Sequence, residues 1–234
     1  MPDEALPDEA SSDETLPEDA ALDGAGPLPR PPAGVTGWAV VVPVKGASGK
    51  SRLELPAAAG RRRGELARAI ALDTLDAVFR ATHVSTVIVV TSDADIVAAL
   101  QGRALIVPDP GSGLNPAVSA GLAAAPSSLP RAALLGDLPA LSPRDLDSAL
   151  QLAAEVPLGV VPDAEGTGTT LVTARAGQRL QPAFGAASRA RHEEAGLAVL
   201  DVPPASTLRR DVDTVDQLRA AAAMGLGRRT SALL

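Results

Sequence analysis

Residues 37–53, GWAVVVPVKGASGKSRL, place a short apolar run directly before a loop of glycines and lysines. The run GWAVVVPV is typical of a β-strand that is buried on both faces. The loop is close to a P-loop, G-x-x-x-x-G-K-[ST], but Val44 stands where the first glycine is required, and starting from Gly46 leaves the loop two residues too short. The sequence therefore predicts a strand and a tight turn that is not a Walker ring.

Strand and helix patterns alternate after this strand. Further strands are predicted in residues 84–92, 104–109, 131–141, 158–163, 169–174 and 197–202. Helices are predicted in residues 61–80, from near Asp93, in 115–125 and in 142–155. This order predicts a single α/β domain with a mostly parallel sheet and helices on both faces. In such folds ligands bind outside the carboxyl ends of the strands.

The charge of the chain is unevenly distributed. Residues 1–34 contain nine acidic residues and one basic residue, whereas the remainder has 19 acidic and 20 basic residues. The proline-rich first segment, with its repeated PDEA, predicts a disordered acidic extension that either only solubilises the protein or binds a partner. We expect the domain to span residues 35–224 and residues 225–234 to form a flexible tail.

Composition excludes several classes of function. The chain has no cysteine, which rules out disulfides, thiolate metal sites and cysteine nucleophiles. No apolar run reaches the roughly 18 residues of a membrane span, and no secretory signal is visible. The near-neutral domain gives no indication of nucleic-acid binding. We therefore expect a cytoplasmic protein that binds neither membrane nor nucleic acid.

Lysine is concentrated in the first loop. All 21 basic residues are arginine except Lys45 and Lys50. Two compact cations in a glycine-containing loop suit a triphosphate, with the backbone N–H groups of the turn facing the same anion; the alternative is a surface turn. Arg52 is either a third phosphate contact or a salt-bridge partner.

Acidic residues follow a buried strand and recur late in the chain. Asp137 lies in LLGDLPAL, and RRDVDT contains Asp211 and Asp213. Carboxylates beside a triphosphate favour Mg²⁺. An aspartate before a proline is also common in turns, so Asp137 alone does not decide the matter.

Three further segments are candidate ligand contacts. Asn115, in GSGLNPAVSAG, is either a helix N-cap or a contact to a nucleobase edge. EGTGTTLV and FGAASRARH combine small residues and hydroxyls, which suits close approach by an anion. His192 is either structural or a ligand contact.

Taken in order, VVPVKGASGKSRL, GSGLNPAVSAGL, LLGDLPAL, GTGTTLV, FGAASRARH and LRRDVDTVDQL resemble one family. This family is the guanylyltransferases of coenzyme F-420 biosynthesis, which act on 2-phospho-L-lactate or, in actinobacteria, on phosphoenolpyruvate. The resemblance covers residues 37 to about 222. It implies a GT-A-like, Rossmann-like nucleotidyltransferase fold, similar to those of molybdenum cofactor guanylyltransferase and sugar-nucleotide pyrophosphorylases.

The resemblance also implies roles for individual residues. Phosphoenolpyruvate would contact Thr170, Gly185 and Ser188. The nucleotide would contact Lys45, Gly46, Lys50, Ser51, Arg52 and Asn115. Mg²⁺ would be held by Asp137 with one of Asp211 or Asp213, of which Asp213 is favoured. Lys45, Lys50 and Asp137 would be the catalytic residues.

The implied reaction transfers GMP from GTP to phosphoenolpyruvate or 2-phospho-L-lactate and releases pyrophosphate. A further expected partner is an enzyme of the same pathway that takes the product. Two alternatives stay open at this point. One is transfer to another anionic acceptor, such as molybdopterin or a sugar phosphate, and the other is a nucleotide-binding module without turnover.

Overall fold

The computed structural model describes residues 37–45 and 59–234. The acidic segment 1–34 and the loop residues Gly46, Lys50, Ser51 and Arg52 lie outside this part. The described strands are β1 (Trp38–Pro43), β2 (Val84–Val90), β3 (Leu105–Val107), β4 (Arg131–Leu134), β5 (Leu158–Pro162), β6 (Thr169–Ala174) and β7 (Ala198–Val199). The α-helices are α1 (Ala59–Arg80), α2 (Ala94–Leu100), α3 (Leu114–Ala124), α4 (Pro143–Ala154), α5 (Ser188–Glu194), α6 (Val215–Met224) and α7 (Arg228–Ser231).

These strands form one seven-stranded sheet in the order β3-β2-β1-β4-β6-β5-β7. The pairs β1–β2, β1–β4, β2–β3 and β5–β7 are parallel. β6 runs antiparallel to both β4 and β5. The prediction of a mostly parallel sheet is confirmed, with β6 as the reversed strand.

The strand β1 is buried on both of its faces, as its unbroken apolar run predicts. Val40 and Val42 belong to a core cluster with residues of α1, α2 and α4, whereas Ala39 and Val41 belong to a second cluster with residues of α3. Successive side chains of a strand point to opposite faces, so one run of valines serves both layers. Helices therefore cover both faces, as predicted.

The α3 helix lies unusually close to the sheet at Gly121. A Cβ atom added there would collide with the side chains of Val41 and Val90. The absence of a side chain at this position allows the close approach.

The direction of the strands brings several loops to one edge. β1, β4 and β5 run in the same direction, so the residues that follow them leave the sheet at a common edge. β6 runs the opposite way, so it begins at that edge, at Thr169. The start of β6 is thereby placed beside the ends of its neighbours.

The C-terminal segment contains the short helix α7, where the sequence analysis expected a flexible tail. Asp73 of α1 is buried, and its two carboxylate oxygens accept the backbone N–H groups of Arg229 at 3.1 Å and Thr230 at 2.7 Å. Gly227 passes so close to Asp73 that a Cβ atom would collide with the carboxylate carbon. The sequence does not reveal this contact, because the partners of Asp73 are backbone N–H groups more than 150 residues away and such groups occur at almost every position.

None of the helices in the described residues is long and apolar enough to cross a membrane.

We predict that Asp73→Ala lowers the free energy of unfolding by about 1–3 kcal/mol, because two buried N–H groups lose their acceptor. Asp73→Asn keeps one acceptor oxygen and should lose less. Urea unfolding measures the change, and limited proteolysis should cleave the C-terminus of the Ala variant first. Asp216→Ala, which removes an exposed side chain on α6, is the control. Equal stability of Asp73→Ala and the control would contradict the docking role.

Candidate functional site

A cavity of about 570 Å³ opens at the sheet edge where β1, β4 and β5 end and β6 begins. Six of the residues proposed from sequence line it: Lys45, Asp137, Gly185, Ser188, Asp211 and Asp213. They come from four segments that are far apart in the sequence, and the fold brings these segments to one cavity. This volume is in the range of cavities that bind small molecules.

The acidic residues meet because one backbone hydrogen bond joins two distant loops. The N–H group of Val212 donates to the carbonyl oxygen of Asp137 at 3.0 Å. Since Val212 lies between Asp211 and Asp213, this bond places both of them next to Asp137. Sequence predicted the acids but not the bond.

The loop that carries Asp137 is anchored from two sides. The buried hydroxyl of Thr74, on α1, accepts the N–H group of Leu138 at 3.0 Å and donates to the carbonyl of Ile70 at 2.9 Å. The carbonyl oxygen of Pro139 accepts a hydrogen bond from the N–H group of Gly227 at 2.7 Å. Asp137 is thus held by backbone contacts, which fixes its position before any ligand binds.

Asp211 is the most strongly perturbed acid of the site. Burial, followed by the negative charges of Asp137, Asp163, Asp213 and Glu165, raises the pKa of Asp211 to about 8. Its Oδ1 is buried and has no hydrogen-bond partner among the described residues. A buried carboxylate oxygen without a donor, surrounded by other carboxylates, is well suited to a bound cation.

A divalent cation fits the geometry of these residues. Asp163, Glu165 and Asp211 each offer a carboxylate oxygen, and these oxygens lie within 4.8 Å of one another. All-oxygen ligand sets of this kind suit Mg²⁺ or Ca²⁺. The predicted ligands Asp137 and Asp213 border the same cavity, and Asp213 is the more exposed of the two late aspartates. The structure therefore adds Asp163 and Glu165 to the acids proposed from sequence.

Asp163 also shapes the turn between β5 and β6. Its carboxylate accepts the N–H groups of Thr167 at 3.0 Å and Gly168 at 2.8 Å. Arg209 donates to the backbone carbonyl of Asp163 at 2.9 and 3.2 Å. A Cβ atom at Gly168 would collide with the Asp163 carboxylate, so the turn requires glycine there. The GTG motif, residues 166–168, thus folds around the carboxylate of Asp163.

Asn115 makes a contact that is neither the helix N-cap nor the nucleobase contact suggested by the sequence. Its Oδ1 accepts the N–H group of Phe184 at 2.8 Å, and its Nδ2 donates to the Phe184 carbonyl at 3.0 Å. The N-cap of α3 is Gly113, so the capping prediction is wrong. Asn115 does not line the cavity, and a nucleobase contact stays a prediction. The side-chain amide of Asn115 instead holds Phe184 in position at the start of the turn 184–188.

The turn 184–188 presents backbone to the cavity. Gly185 has φ 119° and Ala187 has φ 51°, a left-handed conformation that is uncommon for alanine. Ser188 lines the cavity with only 2% of its surface exposed. Among the described residues, the N–H groups of Ala186 and Ala187 have no acceptor, and both residues border the cavity. Such N–H groups suit an anion.

Two adjacent threonines at the start of β6 differ in position. Thr170, the one proposed from sequence, is fully buried, and its hydroxyl lies 3.5 Å from the carbonyl of Val161. Thr169 lines the cavity instead. Side chains alternate along a strand, so only one of the pair can face the site. Substrate contact by Thr170 stays a prediction, and of this pair it is Thr169 that borders the cavity.

Sequence reasoning missed three polar residues of the cavity wall, two of which a simple signal could have found. Asp109 follows β3, Asp163 follows β5, and Thr169 begins β6. Asp163 stands directly after the buried strand β5, and Asp109 stands two residues after β3, so both follow the carboxyl end of a strand as Asp137 does. Applying the carboxyl-end rule to every strand would have identified both.

Comparison with known proteins agrees with this geometry. Residues 38–203 match the family described as Guanylyl transferase CofC like. A phosphoenolpyruvate guanylyltransferase from Thermomonospora curvata is 46% identical over 201 residues, which is 84% of this chain and 88% of that protein. Another, from Streptomyces coelicolor, is 47% identical over 203 residues, covering 84% of this chain and 95% of that protein.

Solved structures share the fold at low sequence identity. The 4-diphosphocytidyl-2C-methyl-D-erythritol synthase of Anaerococcus prevotii is 15% identical with a TM-score of 0.52, covering 80% of this chain and 97% of that chain. A CMP:2-keto-3-deoxy-manno-octonic acid synthetase is 15% identical with a TM-score of 0.50, covering 80% of this chain and 98% of that chain. The fold is therefore the GT-A-like nucleotidyltransferase fold that was predicted.

The raised pKa of Asp211 predicts how stability depends on pH without metal. The pKa is about 8 in the folded chain and 3.8 for an unperturbed aspartate, so only the folded state holds this proton between those values. The contribution of Asp211 to stability is full below about pH 4 and is lost as pH rises towards 8, by up to about 1.4 kcal/mol per pH unit.

We expect Asp211→Asn, which carries no charge, to flatten the decline in stability between pH 5.5 and 7.5. Urea unfolding in EDTA measures it, with Asp216→Asn as an exposed control. Parallel pH profiles for wild type and Asp211→Asn would show that Asp211 is ionised in the folded protein.

Proposed function

The chain belongs to the CofC-like guanylyl transferase family, and we propose that it transfers GMP from GTP to phosphoenolpyruvate. Its relatives named above are phosphoenolpyruvate guanylyltransferases, which favours phosphoenolpyruvate over 2-phospho-L-lactate as the acceptor. The products would be pyrophosphate and enolpyruvoyl-2-diphospho-5′-guanosine, an intermediate for the next enzyme of coenzyme F-420 biosynthesis. Both substrates are cytoplasmic metabolites, which favours the cytoplasm as the site of the reaction.

One observation carries this proposal. A single cavity combines a lysine after β1, a cluster of carboxylates after β4 and β5, and a turn whose N–H groups at residues 186 and 187 have no acceptor in the described part of the chain. A nucleoside triphosphate needs cationic contacts and a metal site, and a phosphorylated acid needs hydrogen-bond donors. The cavity offers each of these on a different wall.

The nucleotide would bind on the wall that follows β1. Lys45 is exposed and borders the cavity, so its ammonium group is available to the triphosphate. Lys50, Gly46, Ser51 and Arg52 are proposed for the same role from the sequence motif. Lysine on a flexible stem can follow a phosphate chain as the substrates align.

The metal would bind among the carboxylates. We propose Mg²⁺, held by Asp137 together with Asp211 or Asp213, with Asp163 and Glu165 in reach of the same region. When bound, the ion would neutralise negative charge on the triphosphate. The orphaned oxygen of Asp211 supports this assignment more directly than any feature of Asp213 does.

The acceptor would bind at the turn 184–188. The N–H groups of Ala186 and Ala187 and the Ser188 hydroxyl could receive the phosphate or carboxylate of phosphoenolpyruvate. Asn115 holds the turn in place through Phe184, so these donors are oriented before the acceptor arrives. Preorganised donors avoid part of the entropy cost of binding.

The reaction needs little further chemistry from the protein. A phosphate oxygen of the acceptor forms a bond to the α-phosphorus of GTP, and the bond from that phosphorus to the β-phosphate bridging oxygen breaks. The attacking phosphate is already an anion at neutral pH, so no general base is required. The chain would contribute alignment and compensation of charge.

The rival readings find less support. Transfer to molybdopterin or a sugar phosphate would place this chain apart from the relatives it matches over most of its length. A silent binding module would have no use for a cluster of carboxylates that repel one another in the absence of a cation.

The product identifies the reaction. The protein is incubated with Mg²⁺, each of the four NTPs in turn, and either phosphoenolpyruvate or 2-phospho-L-lactate, and the products are identified by mass. We expect one combination, GTP with phosphoenolpyruvate, to give the guanylylated acid and an equal amount of pyrophosphate. Pyrophosphate release without a guanylylated acid, or no product at all, would overturn the proposal.

We predict that Lys45→Ala and Lys50→Ala each lower kcat/KM for GTP by about 10- to 150-fold, because each removes a charge-assisted phosphate contact. The KM for phosphoenolpyruvate should stay nearly unchanged, and Lys50→Arg should rescue only in part. Steady-state kinetics with each substrate varied separately measure this. Arg219→Ala, on the exposed face of α6, is the matched control. Wild-type kcat/KM for GTP in both lysine variants would remove this loop from the site.

We predict that Asp137→Ala lowers kcat by roughly 100-fold or more while the protein stays folded, because compensation of charge at the transferred phosphorus is lost. Binding of Mn²⁺, followed by electron paramagnetic resonance, should weaken in parallel, whereas Glu194→Ala on exposed α5 surface should alter neither. Full activity of Asp137→Ala at saturating Mg²⁺ would exclude the metal role.

A further inference from the structure

His192, on α5, is fully buried beside the cavity wall and joins two of its segments. Its Nε2 accepts the backbone N–H group of Ala183 at 3.0 Å, and its Nδ1 lies 3.1 Å from the hydroxyl oxygen of Thr169. Phe184 packs edge-on against the ring, with centroids 5.3 Å apart. The imidazole thus connects the start of β6 with the segment that leads into the turn 184–188.

These contacts determine which ring nitrogen carries the proton. A backbone N–H group can only donate, so the Nε2 atom that faces Ala183 must be the unprotonated nitrogen. Burial, with a smaller effect from the charge of Arg191, lowers the pKa of His192 to about 4, so the ring is neutral at pH 7. A neutral ring without a proton on Nε2 carries it on Nδ1.

The direction of the next hydrogen bond follows from this tautomer. With Nδ1 protonated, its N–H group lies against the Thr169 hydroxyl oxygen and near the backbone of Ser188, so the Thr169 hydroxyl cannot donate to Nδ1 and its proton must point elsewhere. Thr169 borders the cavity, and among the described residues its hydroxyl has no hydrogen bond other than the one from His192. The hydroxyl proton is therefore available to an acceptor in the cavity that Thr169 borders.

The opposite tautomer would have the opposite effect on an anion. With the proton on Nε2, the Thr169 hydroxyl would donate to Nδ1 and present only lone pairs to the cavity. Lone pairs repel a phosphate or carboxylate oxygen, whereas a hydroxyl proton attracts it. The Ala183 N–H group therefore sets, through the ring, whether this part of the wall attracts an anion.

We propose that Thr169 donates a hydrogen bond to an oxygen of the phosphorylated acid acceptor and that His192 is a positioning residue that fixes the direction of this bond. The proposal rests on the proposed function for the identity of the acceptor. It adds a substrate contact at Thr169 and gives His192 a role through that contact.

The tautomer can be observed directly and without any activity. The chain contains only two histidines, His83 and His192, so ¹⁵N-edited NMR of the imidazole rings is simple, and His83→Gln assigns the signals. At pH 7 we expect the His192 Nδ1 atom to have a protonated, pyrrole-type shift and Nε2 a pyridine-type shift. A proton on Nε2, or on both nitrogens, would overturn the proposed role of His192.

Two substitutions at Thr169 test the substrate contact. Thr169→Val keeps the shape and removes the hydroxyl, and we expect kcat/KM for phosphoenolpyruvate to fall about 10- to 100-fold with the KM for GTP unchanged. Thr169→Ser keeps the hydroxyl and should remain within a few-fold of wild type. Equal kinetics for Thr169→Val and wild type would overturn the contact, as would equal losses for GTP and the acid.

Two substitutions at His192 separate its two hydrogen bonds. The amide of His192→Asn can replace the donor at Nδ1, and the amide of His192→Gln can replace the acceptor at Nε2. If the bond to Thr169 is the one that matters for the acceptor, His192→Asn should keep a lower KM for phosphoenolpyruvate than His192→Gln. A merely structural role predicts that the KM for the acid follows thermal stability in both variants, and this result would overturn the positioning role.

A binding measurement separates this inference from the proposed function. Phosphoenolpyruvate is titrated into wild type and Thr169→Val by calorimetry, in the presence of Mg²⁺ and a GTP analogue with a methylene group between the α and β phosphates. Absence of turnover together with tighter binding to wild type would overturn the reaction and keep the contact. Equal binding to both proteins, or none to either, would overturn the contact.

Discussion

The hydrogen bond from the N–H group of Val212 to the carbonyl of Asp137 is the constraint on which the site depends. It joins the loop after β4 to the late segment RRDVDT and so forces Asp211 and Asp213 next to a third carboxylate. The resulting repulsion, together with burial, is visible in the raised pKa of Asp211. The fold tolerates this arrangement because the loop of Asp137 is held by neutral backbone contacts to Thr74 and Gly227, which do not depend on the charges.

The same edge of the sheet has two chemically different walls. One carries carboxylates and suits a cation, and the other carries backbone N–H groups at the turn 184–188 and suits an anion. Asp163 links the walls, because its side chain holds the turn at Thr167 and Gly168 while its oxygens also lie near Asp211. In the proposed reaction, this division would let one cavity hold a metal and two anionic substrates with the anions kept away from the carboxylates.

The turn 184–188 is held by side chains that form hydrogen bonds with backbone groups. The amide of Asn115 pairs with both polar groups of Phe184, and the ring of His192 accepts the N–H group of Ala183. The residue types do not predict these contacts to the backbone. From the sequence, Asn115 was expected to cap a helix or to contact a nucleobase. The turn keeps left-handed conformations at Gly185 and Ala187 because these neighbours hold its entry.

The sequence by itself determined the layers of the fold and the edge at which the chemistry lies. Unbroken apolar runs such as GWAVVVPV belong to strands buried on both faces, and the loops that follow parallel strands meet at one edge, which is where Lys45 and Asp137 border the cavity. Gly185 and Ser188 come after the reversed strand β6, so this rule does not account for their place in the cavity wall. Tertiary structure alone decided the reversed direction of β6, which of Thr169 and Thr170 faces that cavity, the docking of α7 on Asp73, and the proton on His192. Each of these depends on the partner that a backbone group finds in the folded chain, and nearly every residue type carries the same backbone groups, so no pattern of side chains could reveal them.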